Sequence, residues 1–321
     1  MSELTQTIRS FFTDLWRGWE TFFFAPRDLL SAGVFRFLFA ANAFTMYAIR
    51  FYNWKFYFTD EGFLPAEGAL RVLPDVFRPD IVWAPGTPAA AFAMNIGLLV
   101  ALVFLMAGVL PRLSALIGFI LHIALVQRNF AISYGADFIN TFMFFALIFI
   151  RSGDRFSIAA KLRGAQRPRL DEGSLSQLLS SAGVRVMQIQ LCIIYLYTGL
   201  EKMRGDAWWD GTAIWGVIGN QQLAFVNSMW VRDWPMILGA MTFITLLFEI
   251  YFAPLVWAKP TRKWILLIGS GLHLGIAFSV GLFFFSFGMM CNYVLWAEPL
   301  WLERVLRRLR VPASFIGVRA S

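Results

Sequence analysis

Runs of mostly apolar residues recur along this chain, and most are long enough to cross the hydrocarbon of a bilayer as a helix. No water reaches the backbone there, so a spanning segment has only the helix or the closed barrel open to it. The runs fall at about Leu29 to Tyr52, Ala89 to Leu110, Arg112 to Phe130, a short one at Asp137 to Ile150, and Ser180 to Met203. They continue at Pro235 to Trp257, Trp264 to Phe283 and Phe285 to Leu300. The expected fold is an all-α integral membrane protein, a polytopic bundle of about eight transmembrane helices. Composition agrees: 58% of residues are hydrophobic and 15% charged, against about 45–50% and about 25% in soluble domains.

The flanks read differently. Thr7 to Phe24 mixes Trp16, Trp19 and a Phe cluster with Arg9, Asp14, Arg17 and Glu20, the pattern of an amphipathic helix lying in the interface. A second such helix is expected at the C-terminus. The chain 1–321 therefore reads as a single membrane domain: an interfacial helix at 7–24, a bundle at 29–300 and a basic tail at 301–321. No cleavable signal peptide and no large exoplasmic domain are expected.

The net charge of +8 comes from short loops and termini, which is what the positive-inside rule produces without a nucleic-acid partner. Arg151, Arg155, Lys161, Arg163, Arg167 and Arg169 fill one loop. Lys259, Arg262 and Lys263 mark another, and Arg304, Arg307, Arg308 and Arg310 mark the tail. Eight crossings put all of these on one side, so both termini are expected in the cytoplasm of a bacterial inner membrane. The loops Asn53 to Pro88 and Arg204 to Trp234 then face the exoplasm. Cys192 and Cys291 lie in apolar runs without metal-ligand spacing, so neither a disulfide framework nor a metal site is expected.

An ionisable side chain inside a bilayer costs about 2.5–3.5 kcal/mol on insertion scales, so each needs a partner or a task. Arg36, His122, Asp137, Arg185, Glu249 and His273 fall within or at the edge of the runs. Arg36 is expected to anchor a carboxylate, with Asp137 or Glu249 as partner. The two histidines read first as interhelical hydrogen-bonders, and Asp137 as a helix cap. Gln188, Tyr195 and Lys202 recur every seven residues and share one helix face, a polar stripe pointing inward. Lys202 has two readings: a lysine snorkelling to headgroups, or a desolvated lysine acting as a general base. Its neighbour Glu201 could hold it charged. No phosphate loop, HExxH or GxSxG motif is present.

The stretch YLYTGLEKMRGDAWWDGTAIWGV (Tyr195 to Val217) resembles a membrane segment of vitamin K-dependent gamma-carboxylase and its bacterial relatives, the HTTM (horizontally transferred transmembrane) proteins. Phe35-Arg36-Phe37, FYFTDEGFLP (Phe56 to Pro65) and LHLGIAFSVGLFFFSFGMM (Leu272 to Met290) extend the similarity over about Trp16 to Pro299. The resemblance implies a working face on the exoplasmic side and a quinol or other isoprenoid lipid as ligand. By it Lys202 is the base that deprotonates the quinol, in a carboxylase-like or epoxidase-like reaction. His273 matches a histidine opening the late helix, and a catalytic histidine of the carboxylase falls near Asp137. Tyr195, Trp208, Trp209 and Trp215 would line the entrance, with Gln188 and Glu201 beside the ligand. The sequence ends soon after Arg310, so carboxylation of a whole protein is not expected from this polypeptide alone. Two other classes stay open: a non-catalytic scaffold for a partner membrane or exoplasmic protein, and a small-solute transporter. Membrane lipids are partners in every case.

Overall fold

A computed structural model describes residues 3–65, 67–68, 86–163, 173–220, 222 and 224–317. The loop arginines Arg167 and Arg169, residues 69–85 of the first large loop and the last four residues of the tail lie outside the described residues. Helices make up most of what is described, and no strand occurs among the described residues. In chain order they are α1 (Glu3–Phe24), α2 (Leu30–Tyr52), α3 (Trp54–Phe58), α4 (Pro88–Ala107), α5 (Pro111–Arg128), α6 (Gly135–Phe149) and α7 (Ile158–Leu162). There follow α8 (Leu175–Lys202), α9 (Asp206–Trp209), α10 (Ala213–Ile218), α11 (Pro235–Trp257), α12 (Lys259–Val280), α13 (Phe283–Tyr293), α14 (Pro299–Arg308) and α15 (Ala313–Ile316).

Five of these, α2, α4, α8, α11 and α12, are long and apolar enough to cross a membrane. The chain is thus an all-α membrane protein. The other three expected crossings differ in form. Helix α5 carries Arg112, His122 and Arg128, while α6 and the segment Phe283–Trp296 are shorter apolar helices. The eighth expected run ends early because Val294–Trp296 tightens into a 3-10 turn and Pro299 starts a new helix. That new helix, α14, buries Leu302, Glu303 and Leu306 and packs on α2.

The chain divides into two compact units. The first takes the described residues of Met1–Ile132, Thr141–Met187 and Leu295–Ser321; the second takes Ser133–Asn140 and Gln188–Val294. In the first unit α4 packs against both α2 and α5. Pro88 begins α4 at its first turn, where a missing N–H costs nothing, and Gly108 ends it in the left-handed conformation at φ 70°. A side chain at Gly108 would collide with the Arg36 guanidinium and Ser157. Arg36 is fully buried and donates to three carbonyls: Ser152 O at 2.8 Å, Phe156 O at 2.5 Å and Met106 O at 3.5 Å. These contacts correct the expectation that Arg36 anchors Asp137 or Glu249. The last carbonyls of a helix lack intrahelical donors, and Met106 O is one of them. Phe156 reaches Arg36 from a left-handed backbone at φ 52°, which non-glycine residues adopt rarely.

Arg155 ties distant segments of this unit together. Its Nε donates to Ile316 O at 2.9 Å, Nη2 to Glu303 Oε1 at 2.5 Å, and Nη1 pairs with Asp28. Helix α1 behaves differently. Phe11, Phe12, Leu15, Trp16 and Trp19 recur at helical spacing and all stand exposed, so its apolar stripe is not covered by the other described residues.

Removing one partner from a buried ionic cluster leaves uncompensated charge and costs about 3–5 kcal/mol. Arg155→Met is therefore expected to lower the unfolding temperature of detergent-purified protein clearly. Arg163→Ala, which removes a half-exposed partner of Asp154, should change stability by less than about 1 kcal/mol. Equal effects in the two variants would show that Arg155 does not hold the terminal segments.

Candidate functional site

The second unit gathers most of the singled-out residues on α8, α11, α12 and α13. Tyr195 is buried on the inward face of α8. Its hydroxyl lies 2.6 Å from His273 Nε2 on α12 and 2.6 Å from the Tyr293 hydroxyl at the end of α13. One consistent donor order runs from Tyr293 to Tyr195 to His273, which puts the imidazole proton on Nδ1. That nitrogen is buried with no hydrogen-bond partner among the described residues. Phe248 and Phe252 of α11 enclose the Tyr195 ring, with centroids at 5.0 and 4.4 Å. Gly269 stands one turn before His273, and a Cβ there would overlap the Tyr293 hydroxyl and Phe248. Glycine at this position lets α13 and α11 close on the imidazole.

Two turns along α8 from Tyr195, Lys202 meets Glu249 of α11. Its Nζ lies 3.0 Å from Oε1 and 2.8 Å from Oε2. The carboxylate is 9% exposed and the lysine side chain 26%. Helices α8 and α11 approach closely here because Gly199 has no side chain. A Cβ on it would press on Glu249 and Ile250 at 3.1 Å. On its other side the ammonium faces the Trp208 ring, 5.4 Å from the centroid, a cation–π contact. Glu201 points away and pairs with Arg204 at 3.0 Å, so Glu249 rather than Glu201 is the carboxylate beside Lys202.

The loop beyond Lys202 is fastened by local bonds. Trp209 Nε1 donates to Met203 O at 2.7 Å. Asp210 Oδ1 accepts from Thr212 N at 2.9 Å and from Thr212 Oγ1 at 2.5 Å, which holds the exposed Asp210 carboxyl below its ordinary pKa. The buried Thr242 hydroxyl donates to Gly211 O at 3.1 Å and receives Ile214 N at 3.3 Å, seating the loop on α11. Trp215 packs against the cluster of Ile218, Val231 and Leu238.

The other predicted residues lie in separate settings. Gln188 is buried where α8 enters the second unit, and Asp137 opens α6 with Oδ2 accepting Tyr134 N at 3.1 Å. In the first unit His122 joins Tyr47 at 2.6 Å and Thr141 at 2.9 Å. Arg185 donates to Phe22 O at 2.9 Å and stacks over the Phe22 ring at 4.1 Å. Tyr293 was not singled out in the sequence. Its place near the end of an apolar run, beside Asn292, is the signal that could have found it.

Over 204 residues the chain is 24% identical to the uncharacterized protein YitO of Bacillus subtilis (strain 168), covering 62% of this chain and 64% of that protein. More than a third of that relative's length therefore lies outside the match. No family model matches the chain, and no solved structure matches it.

The pair Lys202–Glu249 should behave as a coupled unit. Lys202→Met and Glu249→Gln each strand one charge and are expected to destabilise the protein by about 3 kcal/mol. The double variant should cost less than the sum of the two by more than about 1 kcal/mol in thermal or denaturant unfolding. Additive losses would mean that the two charges do not interact.

Proposed function

We propose that this chain is an HTTM-like membrane protein that receives the head group of a quinol or another isoprenoid lipid at Lys202–Glu249. The observation that carries the reading is the ion pair itself. Most intramembrane charges are rare and face a bundle interior or a functional cavity. This pair sits at the end of a long apolar helix with the lysine partly open and an indole ring over it. An accessible ammonium and a carboxylate side by side suit a weakly acidic hydroxyl group, whose oxygen and proton each find a complementary partner. Trp208 lies over the ammonium and the exposed Trp209 follows it in the chain, and an isoprenoid tail would lie along the apolar helices.

In this reading the chain crosses the inner membrane about eight times, with both termini in the cytoplasm and Lys202 toward the exoplasm, as the arginine and lysine distribution supports. The exposed aromatic stripe of α1 lies in the interface, where Trp and Phe sit among headgroups. The Tyr293–Tyr195–His273 hydrogen-bond chain supports the polar lining deeper in the same unit.

Lipid extracted from gently purified protein tests the reading. A quinone or another isoprenoid is expected in stoichiometric amount, and Lys202→Met should lower its occupancy at least tenfold. Recovery of bulk phospholipid alone, or of a stoichiometric partner protein with no isoprenoid, would contradict it and favour a scaffold.

A further inference from the structure

We infer that Glu249, not Lys202, takes the proton at this site, and that Lys202 is the cation that holds the resulting oxyanion. This inference rests on the reading that a weakly acidic lipid hydroxyl enters here, and it reverses the roles implied by the resemblance.

The argument lies in what surrounds Nζ. On one side are both oxygens of Glu249 at 2.8 and 3.0 Å; on the other is the face of Trp208 at 5.4 Å. Carboxylate and indole face are both partners that a cation takes. An ammonium offers three donors and no acceptor, so it has no lone pair with which to remove a proton. The two Glu249 oxygens offer about four acceptor positions, and one lysine leaves some of them free. The groups of α8 that face this carboxylate are Lys202 and, within the same turns, Thr198 and Tyr195. Neither hydroxyl is a stronger base than a carboxylate.

The step balances without any further reactant. The O–H bond of the ligand breaks and its electron pair stays on the ligand's hydroxyl oxygen. A new O–H bond forms at a Glu249 oxygen, giving a neutral carboxylic acid. The ammonium of Lys202 exchanges its carboxylate partner for the new oxyanion, so one ion pair replaces another. Nothing is oxidised or reduced. Glu249 is the more buried of the two side chains and Lys202 the more open.

Infrared difference spectroscopy on the full chain in nanodiscs tests this directly. The probe is the monomethyl ether of a naphthohydroquinone, which has one ionisable hydroxyl and cannot be oxidised to a quinone without losing the methyl group. Its absorbance reports naphthol against naphtholate. In the wild type, bound naphtholate is expected to appear together with the carbonyl stretch of a protonated carboxyl group, with no proton released to the medium. Glu249→Gln should abolish that stretch, and Glu249→Asp should retain it at a shifted position, which separates a lost proton acceptor from a misfolded site. Naphtholate without a carboxyl stretch in the wild type, or a stretch that survives Glu249→Gln, overturns the assignment while leaving the lipid site standing. A wild type that does not bind the probe overturns the lipid reading and this inference with it.

Discussion

A polar group in hydrocarbon has nowhere to turn except to another polar group, and that constraint organises this protein. Arg36 meets it with carbonyls at a helix end and a neighbouring turn. His122 meets it with Tyr47 and Thr141, and His273 with Tyr195. Lys202 and Glu249 meet it with each other. Each arrangement joins helices that apolar packing alone would leave free to slide, because side chains as apolar as lipid tails give little preference for one neighbour over another. Small residues make the joints close enough: Gly108 at Arg36, Gly199 at Glu249 and Gly269 at Tyr293.

Lys202–Glu249 differs from the other joints in its exposure. Arg36 and His122 are sealed, whereas the lysine keeps about a quarter of its side-chain surface open. A sealed pair serves packing, and truncating it is costly chiefly because a charge is stranded. An open pair can exchange one partner for a ligand and remain neutral as a whole. That difference in access, more than the identity of the residues, separates the candidate site from the structural polar contacts around it.

Much of the framework was legible in the sequence because helix periodicity and length are local properties. The span Pro235–Trp257 has the bounds that its apolar run suggests, and the seven-residue spacing placed Tyr195 and Lys202 on one inward face. Partners were harder to read. Arg36 was expected to meet a carboxylate, but backbone carbonyls take its two terminal nitrogens and leave no mark in the sequence. Glu249 was matched to the wrong cation for the same reason: which helices touch depends on glycines such as Gly199, whose effect appears only when two backbones meet. The late run was expected to continue to Leu300, and it breaks at Val294–Trp296 instead.

The account depends most on the two charges of α8 and α11 being in contact within a bilayer. Solid-state NMR of protein reconstituted in lipid, with labelled nitrogen in lysine and labelled carboxyl carbon in glutamate, measures that contact through the dipolar coupling of the Lys202 ammonium to the Glu249 carboxyl. A strong coupling that vanishes in Glu249→Gln is the predicted result. No coupling, with the Lys202 ammonium hydrated at the headgroups, would contradict the account.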